Sequence, residues 1–395
     1  MVPRSEFDQR LKAIRARMEV RGLDLLLIYS SPGSMRFGQR GHVMYVSGYE
    51  PYFGDTMFLL PRRANQECLL EIDSADHFSS LSTWVENVER AGDHIQILHE
   101  YLRGLGVAKP RIGVVGDYSM SPRLYSRLIE ETDAHIETVS SLIEEERAVK
   151  SEFEIQCMKQ AGAIAYKGIQ SAAKFARPGV LEAEIVAEVE RVCRVAGSEF
   201  FPHYTMVTSG RDPDHSNLWW RCGRRKLEPG DSWLIDFGTM YEGYCCDVAR
   251  PFTLGPPSGQ IRELFDVLVE SLEAGRRVAR PGVLTSEVDA ATAEVLRRKL
   301  DDDAFSEKVG HGVGLEVHEW PFVGYQSIGD DSAYRDVKLE ANMVISMEPA
   351  AWLPETGDLQ VEDQFVVTEE GGQRLSPIPL EIFECPNQKG QAKQF

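Results

Sequence analysis

The segment DSWLIDFGTMYEGYCCDV, residues 231–248, constrains the fold of this chain more than any other stretch. Two apolar runs flank the Glu242-Gly243 pair, and such a pair is typical of a tight turn between strands. The pattern predicts a β-hairpin on which Asp236 and Asp247, eleven residues apart, can face each other across the ladder. Because carboxylates at strand ends usually cap a turn or face solvent, this segment alone leaves a metal-binding role open.

The first part of the chain has the pattern of an α/β domain. Apolar residues at positions 7, 11, 14 and 18 follow helical spacing, which predicts an amphipathic first helix. The short apolar runs LDLLLIY, MFLLP, CLLEI and RIGVVG are bounded by turn-forming or charged residues, as in the strands of a covered sheet. Helices alternating with such strands predict an α/β domain over residues 1–145.

A different pattern begins near residue 146. Ser151 and Glu154 form an S-x-x-E capping box that predicts the start of a long helix. Further helical stretches near 181–196, 258–278 and 285–300 alternate with β-rich segments, which favours an α+β domain with a mainly antiparallel sheet over 146–385. The last residues, 386–395, form a compositionally loose tail.

Charge and composition exclude several classes of protein. A chain of 395 residues that is 43% hydrophobic and 27% charged is typical of a folded, water-soluble protein. Its formal net charge of −19 disfavours nucleic acid and anionic membranes as partners. The seven cysteines are scattered and lack CxxC spacing, and no apolar stretch approaches the roughly 18 residues that span a bilayer. We therefore expect a cytoplasmic protein with reduced thiols.

Further candidate ligands follow the hairpin. His311 and His318 lie seven residues apart in GHGVGLEVHEWP, which does not match the i, i+4 spacing of a zincin helix. Glu348 in ISMEP and Glu362 in LQVED stand among apolar neighbours, where a strand would bury them. A buried carboxylate needs a partner, and a cation is one such partner.

The order Asp, Asp, His, Glu, Glu in the contexts DFG, GHGxGLExHE, MEP and ED resembles the metallopeptidase family that contains prolidase, aminopeptidase P and methionine aminopeptidase. The resemblance implies an α+β pita-bread catalytic domain preceded by a smaller α/β creatinase-type N-terminal domain. Because that first domain is typical of the prolidase branch, methionine aminopeptidases fit less well.

The resemblance also implies a dinuclear metal site with two divalent ions per subunit. Asp236 would bind one ion, His311 and Glu348 the other, and Asp247 and Glu362 would bridge them. Oxygen ligands with one imidazole favour Mn²⁺, with Fe²⁺, Co²⁺ or Zn²⁺ as alternatives.

The catalytic residues are implied in the same way. Glu348 is expected to act in catalysis besides binding metal, together with His215 and His318, which would contact the substrate. His203 is a rival of His215 for that role.

The implied activity is hydrolysis of a C–N amide bond in a short Xaa-Pro peptide, as in prolidase or aminopeptidase P. Gln360 departs from the family, since peptide-cleaving relatives commonly have Arg two residues before the last Glu. The alternative is therefore an enzyme for a small metabolite or osmolyte, similar to ectoine hydrolase or dimethylsulfoniopropionate lyase. A binding module without activity is a more remote alternative.

Two further segments bear on substrate and assembly. WWRCGRRK, residues 219–226, makes Trp219 and Arg221 candidate substrate contacts beside Gln360, although a solvated basic loop fits the same pattern. The resemblance implies a homodimer, and RFGQRGHVMYVSGYEPYFGD mixes aromatic residues and Arg as interface cores do. A buried strand with its loop is the alternative for that segment.

Overall fold

The computed structural model describes residues 2–34, 37–73, 83–90, 92–211, 223–305, 310–324 and 336–387. The chain divides into an N-terminal unit, Met1–Arg147, and a C-terminal unit, Ala148–Phe395. Within these described ranges, no helix combines the length and the apolar composition needed to cross a membrane.

The N-terminal unit is a mixed sheet with helices. Its helices are α1 (Arg4–Arg21), α2 (Gly41–Ser47), α3 (His94–Leu105), α4 (Pro122–Glu131) and α5 (Ser141–Ala148). Its strands are β1 (Leu25–Ser34), β2 (Phe37–Gln39), β3 (Thr56–Pro61), β4 (Leu69–Ile72), β5 (Val88–Arg90), β6 (Arg111–Val115) and β7 (His135–Thr138). The sheet has the order β5-β4-β3-β1-β6-β7, with β2 paired to β1.

The pattern of burial in this unit agrees with the sequence. The predicted apolar face of α1 is buried at Phe7, Leu11, Ile14 and Met18. All residues of β3 and β4 are buried, as expected for strands covered on both faces. The expected interface segment, residues 36–55, contains strand β2 and helix α2, and His42, Val43, Tyr45 and Val46 of that helix are buried within the unit itself. Those four residues therefore pack inside the unit.

The C-terminal unit contains helices α6 (Glu152–Phe175), α7 (Glu182–Val195), α8 (Gly259–Val278) and α9 (Thr285–Lys299). Its strands are β8 (Met206–Ser209), β9 (Ser232–Tyr241), β10 (Tyr244–Leu254), β11 (Gly310–Gly312), β12 (Glu319–Val323), β13 (Val344–Met347), β14 (Ala350–Leu353), β15 (Gly357–Gln360), β16 (Asp363–Thr368), β17 (Gly371–Arg374) and β18 (Phe383–Cys385). The predicted capping box opens α6, where Ser151 Oγ accepts from Glu154 N and Glu154 Oε2 accepts from Ser151 N.

Two similar halves make up most of this unit. The first half (152–254, joined by β18 from the end of the unit) packs α6 and α7 against the sheet β18-β10-β9-β8 around one apolar core. The second half (259–374) packs α8 and α9 against the sheet β12-β11-β13-β16-β17 around another. Strands β14 and β15 form a separate hairpin beside the second core. Neighbouring strands are antiparallel apart from β10 and β18, which agrees with the predicted α+β pattern.

The similarity of the halves extends to their sequences. ARPGVL at 176–181 recurs at 279–284, before α7 and α9 respectively. KLE at 226–228 recurs at 338–340, and in both halves its Leu N–H donates to the Val carbonyl of ARPGVL, at 2.9 and 2.8 Å. Asp236 and Glu348 each stand ten residues after the Lys of KLE. The two halves therefore place a carboxylate at corresponding points of their sheets.

Candidate metal centre

The first half contributes two carboxylates from one hairpin. Strands β9 and β10 pair with Asp247 opposite Gly238 and Asp236 opposite Ala249. Because side chains alternate along a strand, Asp236 and Gly238 share a face, and Asp247 lies on that face across the ladder. The predicted turn is present, with Glu242 and Gly243 at φ of 49° and 80°. Both carboxylates are almost fully buried on one side of this hairpin.

The second half contributes candidate ligands from three separate segments. His311 lies on β11 opposite Ser346 of β13, whose hydroxyl donates to Glu362 Oε1 at 2.8 Å. Glu348 follows β13, and Glu362 precedes β16. The backbone N–H of Glu362 donates to the carbonyl of Ala249 on β10 at 3.1 Å. This hydrogen bond joins the second half to the hairpin of the first.

His311 Nε2 lies at the centre of the resulting cluster. It is 3.8 Å from Asp247 Oδ2, 3.8 Å from Glu348 Oε1 and 3.8 Å from Glu362 Oε1. This nitrogen is buried and makes no hydrogen bond to any residue that the structure describes. His311 Nε2 therefore faces three carboxylates and forms a hydrogen bond with none of them.

Burial controls the electrostatics of these groups. Burial, followed by the charges of Asp247, Glu348 and Asp236, raises the pKa of Glu362 well above its ordinary value. Burial has the opposite effect on a base and lowers the pKa of His311. The side chain of Glu348 is 22% exposed, whereas that of Glu362 is 1% exposed, so Glu348 is the more accessible of the two. A buried group of carboxylates is unfavourable when ionised unless positive charge accompanies it.

His203, from the segment before β8, also lies in this cluster. Its Nε2 is 2.9 Å from Asp247 Oδ1 and 3.9 Å from Asp236 Oδ1. Burial alone would lower the pKa of His203, but the charge and hydrogen bond of Asp247, assisted by Asp236, raise it to about 9. Burial tends to raise the pKa of Asp247, and the charge and hydrogen bond of His203 outweigh that effect and lower it.

His318 and Gln360 lie beside the carboxylates. The half-buried ring of His318 is 4.1 Å from the ring of His311, centroid to centroid, and its nearest nitrogen clusters with ligand atoms of Asp247 and His311. The amide nitrogen of Gln360 is 3.4 Å from both Glu348 Oε2 and Glu362 Oε2, so it donates to each carboxylate. The other predicted site residues, His215, Trp219 and Arg221, lie outside the described residues.

A buried charge network, absent from the sequence predictions, supports Glu362. The guanidinium of Arg250 is fully buried and donates to Asp363 Oδ2 at 2.7 Å and to the carbonyl of Glu362. Arg374 and Ser376 bond the same Asp363 carboxylate. The network holds the backbone of Glu362 in place through its carbonyl group. Arg250 and Asp363 are more than a hundred residues apart in sequence, and only the Glu362-Asp363 dipeptide points to the network.

A second buried pair supports the loop that carries His318. Lys150 Nζ donates to Glu319 Oε1 at 2.9 Å, and both side chains are nearly inaccessible. The backbone N–H of Lys150 donates to the carbonyl of Asn342. The residue next to His318 is thereby attached to the segment that precedes α6.

Comparison with known proteins agrees with this architecture. Residues 156–369 match the model of metallopeptidase family M24, and residues 10–149 match the creatinase/prolidase N-terminal domain. The chain therefore belongs to metallopeptidase family M24. The predicted fold class, a pita-bread catalytic domain after a smaller creatinase-type α/β domain, is confirmed, as is the expectation of a metal-dependent hydrolase.

Individual relatives are similar over most of their length. The uncharacterized peptidase YqhT of Bacillus subtilis is 32% identical over 75% of this chain and 81% of its own. An Xaa-Pro dipeptidase of Pyrococcus horikoshii is 27% identical over 95% of this chain and 99% of its own. The solved X-Pro aminopeptidase of Thermotoga maritima has a TM-score of 0.82 at 28% identity and covers 94% of this chain and 99% of its own.

Proposed function

We propose that this protein is a dinuclear-metal peptidase that hydrolyses the amide bond of short Xaa-Pro peptides. The observation that carries the proposal is the convergence of five side chains that could bind metal, from both halves of the C-terminal unit. They are Asp236, Asp247, His311, Glu348 and Glu362. Relatives that cover nearly the whole chain are Xaa-Pro dipeptidases and an X-Pro aminopeptidase, which supports this substrate class.

The residues fit a pair of divalent cations. His311 Nε2 is a buried nitrogen without a hydrogen bond in the described part of the chain, and it faces three carboxylates at 3.8 Å. A cation between these groups would satisfy all of them, and two divalent ions would balance four carboxylates. Carboxylate oxygens with imidazole suit Mn²⁺, Fe²⁺, Co²⁺ and Zn²⁺, among which we propose Mn²⁺. Asp247 and Glu362 would bridge, Asp236 would hold one ion, and His311 with Glu348 the other.

When bound, such ions supply Lewis acidity to the scissile carbonyl and lower the pKa of water. The protein groups would do the rest. Glu348, the accessible carboxylate, would accept a proton from the attacking water at a carboxylate oxygen and return it to the leaving amine. His318, at the edge of the cluster, would donate a hydrogen bond to the substrate, and we propose the same for His215.

The second candidate function is hydrolysis of a compact metabolite, and Gln360 is the observation that favours it. Its amide donates to Glu348 and Glu362 and so orients two ligand carboxylates. An amide carries no charge, so it cannot lower the negative potential beside the ions as a guanidinium would. A site lacking that charge would be adapted to a substrate that makes different contacts, such as ectoine or a related osmolyte.

A substrate panel with metal-reconstituted protein tests the two candidates. It compares Xaa-Pro dipeptides, longer Xaa-Pro peptides, ectoine and related osmolytes, with Mn²⁺, Fe²⁺, Co²⁺ and Zn²⁺ each supplied separately. We expect Xaa-Pro cleavage with kcat/KM above about 10⁴ M⁻¹s⁻¹, the lower end for dedicated enzymes. Turnover of an osmolyte without Xaa-Pro cleavage would replace the peptidase proposal with the second candidate.

We also propose that the protein is a cytoplasmic homodimer. Within the expected interface segment, residues 36–55, Tyr52 and Phe53 are 73% and 59% exposed and their rings lie edge to face. Exposed aromatic residues of this kind are enriched at interfaces. Sedimentation equilibrium should give twice the 44.4 kDa chain mass. A fully active monomer would reject the dimer.

A further inference from the structure

His203 occupies a place in the cluster that corresponds to that of His311. The two oxygens of Asp247 point to different imidazoles. Oδ1 is 2.9 Å from His203 Nε2, and Oδ2 is 3.8 Å from His311 Nε2. His203 is also the imidazole near Asp236, which lies 3.9 Å away. The ion that Asp236 and Asp247 would hold therefore has a buried nitrogen beside it, as the other ion would have His311.

The hydrogen bond of the opposite ring nitrogen prepares His203 for metal binding. His203 Nδ1 lies 3.0 Å from the carbonyl of Tyr204, and His311 Nδ1 lies 3.1 Å from the carbonyl of Gly312. A carbonyl only accepts, so Nδ1 must carry the proton in both rings. In a neutral ring the lone pair is then on Nε2, which faces the carboxylates. Metal-binding histidines commonly donate their other N–H to such a carbonyl.

The separation between His203 and Asp247 suits two ligands of one ion. Ligand atoms about 2.1 Å from an ion and at right angles to each other are about 3 Å apart. The 2.9 Å between His203 Nε2 and Asp247 Oδ1 agrees with that separation. A nitrogen lone pair and a carboxylate oxygen at this distance repel each other unless a proton or a cation lies between them.

The backbone keeps His203 in this position. A Cβ on Gly238, the residue opposite Asp247, would lie 2.5 Å from Pro202 Cγ. Glycine at 238 thus lets the Pro202-His203 segment approach the face of the hairpin that carries both aspartates. A longer side chain at 238 would force the segment away.

From this geometry we propose that His203 is a sixth protein ligand of the dinuclear centre and binds, through Nε2, the ion that Asp236 and Asp247 hold. The proposal rests on the metal site of the proposed function. Each ion would then have one imidazole ligand. The two metal positions would be more alike than in a centre with a single histidine. Nitrogen donors on both ions also raise the relative affinity for Co²⁺, Fe²⁺ and Zn²⁺.

The test is proton NMR of the full chain loaded with Co²⁺ and recorded in water. An imidazole bound to Co²⁺ shows its remaining N–H as a strongly shifted signal that disappears in D₂O. We expect two such signals from the wild-type protein, one from His203 and one from His311. His203→Gln should remove one signal and His311→Gln the other. His135→Gln, which changes an exposed imidazole on β7, should keep both.

Other results would overturn the proposal. A single shifted N–H in the wild type, lost in His311→Gln, would mean that His203 is a charged partner of Asp247. This result needs only the wild type and His311→Gln, so a misfolded His203→Gln does not prevent it. Two cobalt ions per chain with one signal would reject His203 as a ligand and leave the proposed function intact. Failure to bind cobalt at all would contradict both this proposal and the proposed function.

Discussion

The two halves of the C-terminal unit position their proposed metal ligands in different ways. In the first half, Asp236 and Asp247 lie on one hairpin, with His203 packed against it. In the second half, His311, Glu348 and Glu362 come from three segments that strand pairing and Ser346 bring together. The first half therefore depends on local pairing, whereas the second depends on contacts between residues distant in sequence. The five predictions that follow test this difference.

The largest effect is expected from the bridging carboxylates. Asp247→Ala and Glu362→Ala should each abolish binding of at least one ion and lower activity by about 10³-fold or more, because each removes a ligand common to both ions. Asp236→Ala, the matched variant on the same hairpin, should retain the second ion. Elemental analysis of the purified variants measures this. Normal metal content in Asp247→Ala would contradict the bridging assignment.

His318→Ala should separate substrate contact from metal binding in the second half. We expect unchanged metal content and turnover lower by about 10² to 10⁴, as for a group that donates a hydrogen bond or proton to the substrate. Steady-state kinetics together with elemental analysis would show both. If metal is lost as well, His318 has the role assigned here to His311.

Gly238→Ala should test the close approach in the first half. The added methyl would meet Pro202 Cγ at 2.5 Å and the carbonyl of Cys246 at 2.4 Å, so we expect a loss of about 1–3 kcal/mol in the free energy of unfolding. Urea denaturation measures it. Gly259→Ala is the control, since nothing lies within 4 Å of that position. Equal stability of the two variants would show that Pro202 moves aside freely.

Gln360→Arg tests the electrostatics of the second half. For a compact substrate, the added charge should lower kcat/KM by about tenfold, equivalent to about 1.4 kcal/mol, while Xaa-Pro cleavage stays equal or rises. Gln360→Glu is the opposite change of charge and removes the amide hydrogen bonds to Glu348 and Glu362, so it should not raise Xaa-Pro cleavage. If the wild type already cleaves Xaa-Pro dipeptides efficiently and Gln360→Arg changes nothing, Gln360 is a tolerated substitution.

The smallest effect concerns Asp358 on β15, beside the second core. Burial raises the pKa of Asp358 to about 6, so the folded protein holds this proton more tightly than the unfolded chain does. Stability should therefore fall as pH rises from about 4 to about 6, and Asp358→Asn should remove that loss. The side chain is partly exposed, so we expect a gain of at most about 1 kcal/mol at pH 7.5. Thermal denaturation should show this gain shrinking as the pH is lowered towards 4.

The sequence predicted the local features of the site and missed the distant ones. The hairpin could be predicted because Glu242-Gly243 marks its turn and the strands alternate in a regular pattern. The order and context of the candidate ligands predicted side chains that the structure places close together. The recurrence of ARPGVL and KLE was missed because the repeat is far longer than the periods that short repeats display.

His203 and Arg250 show why the rest could not be predicted. His203 was expected only as a rival of His215, because nothing in its sequence context places it against Asp247. Its position depends on Gly238, which lies in another strand. Arg250 joins Asp363 across more than a hundred residues, and no spacing rule connects them. Such contacts depend on the packing of the two halves.

The contacts of Lys150 limit where the chain can be cleaved to give a stable C-terminal fragment. Proteolysis between Arg147 and Ala148 would keep its ammonium on Glu319 and its backbone N–H on Asn342. Proteolysis after Lys150 would remove that ammonium from a buried carboxylate, which costs about 3–5 kcal/mol when one partner of such a pair is lost. The fragment would then lose support for the loop of His318. The shortest self-sufficient fragment therefore begins no later than residue 150, although the family match begins at 156.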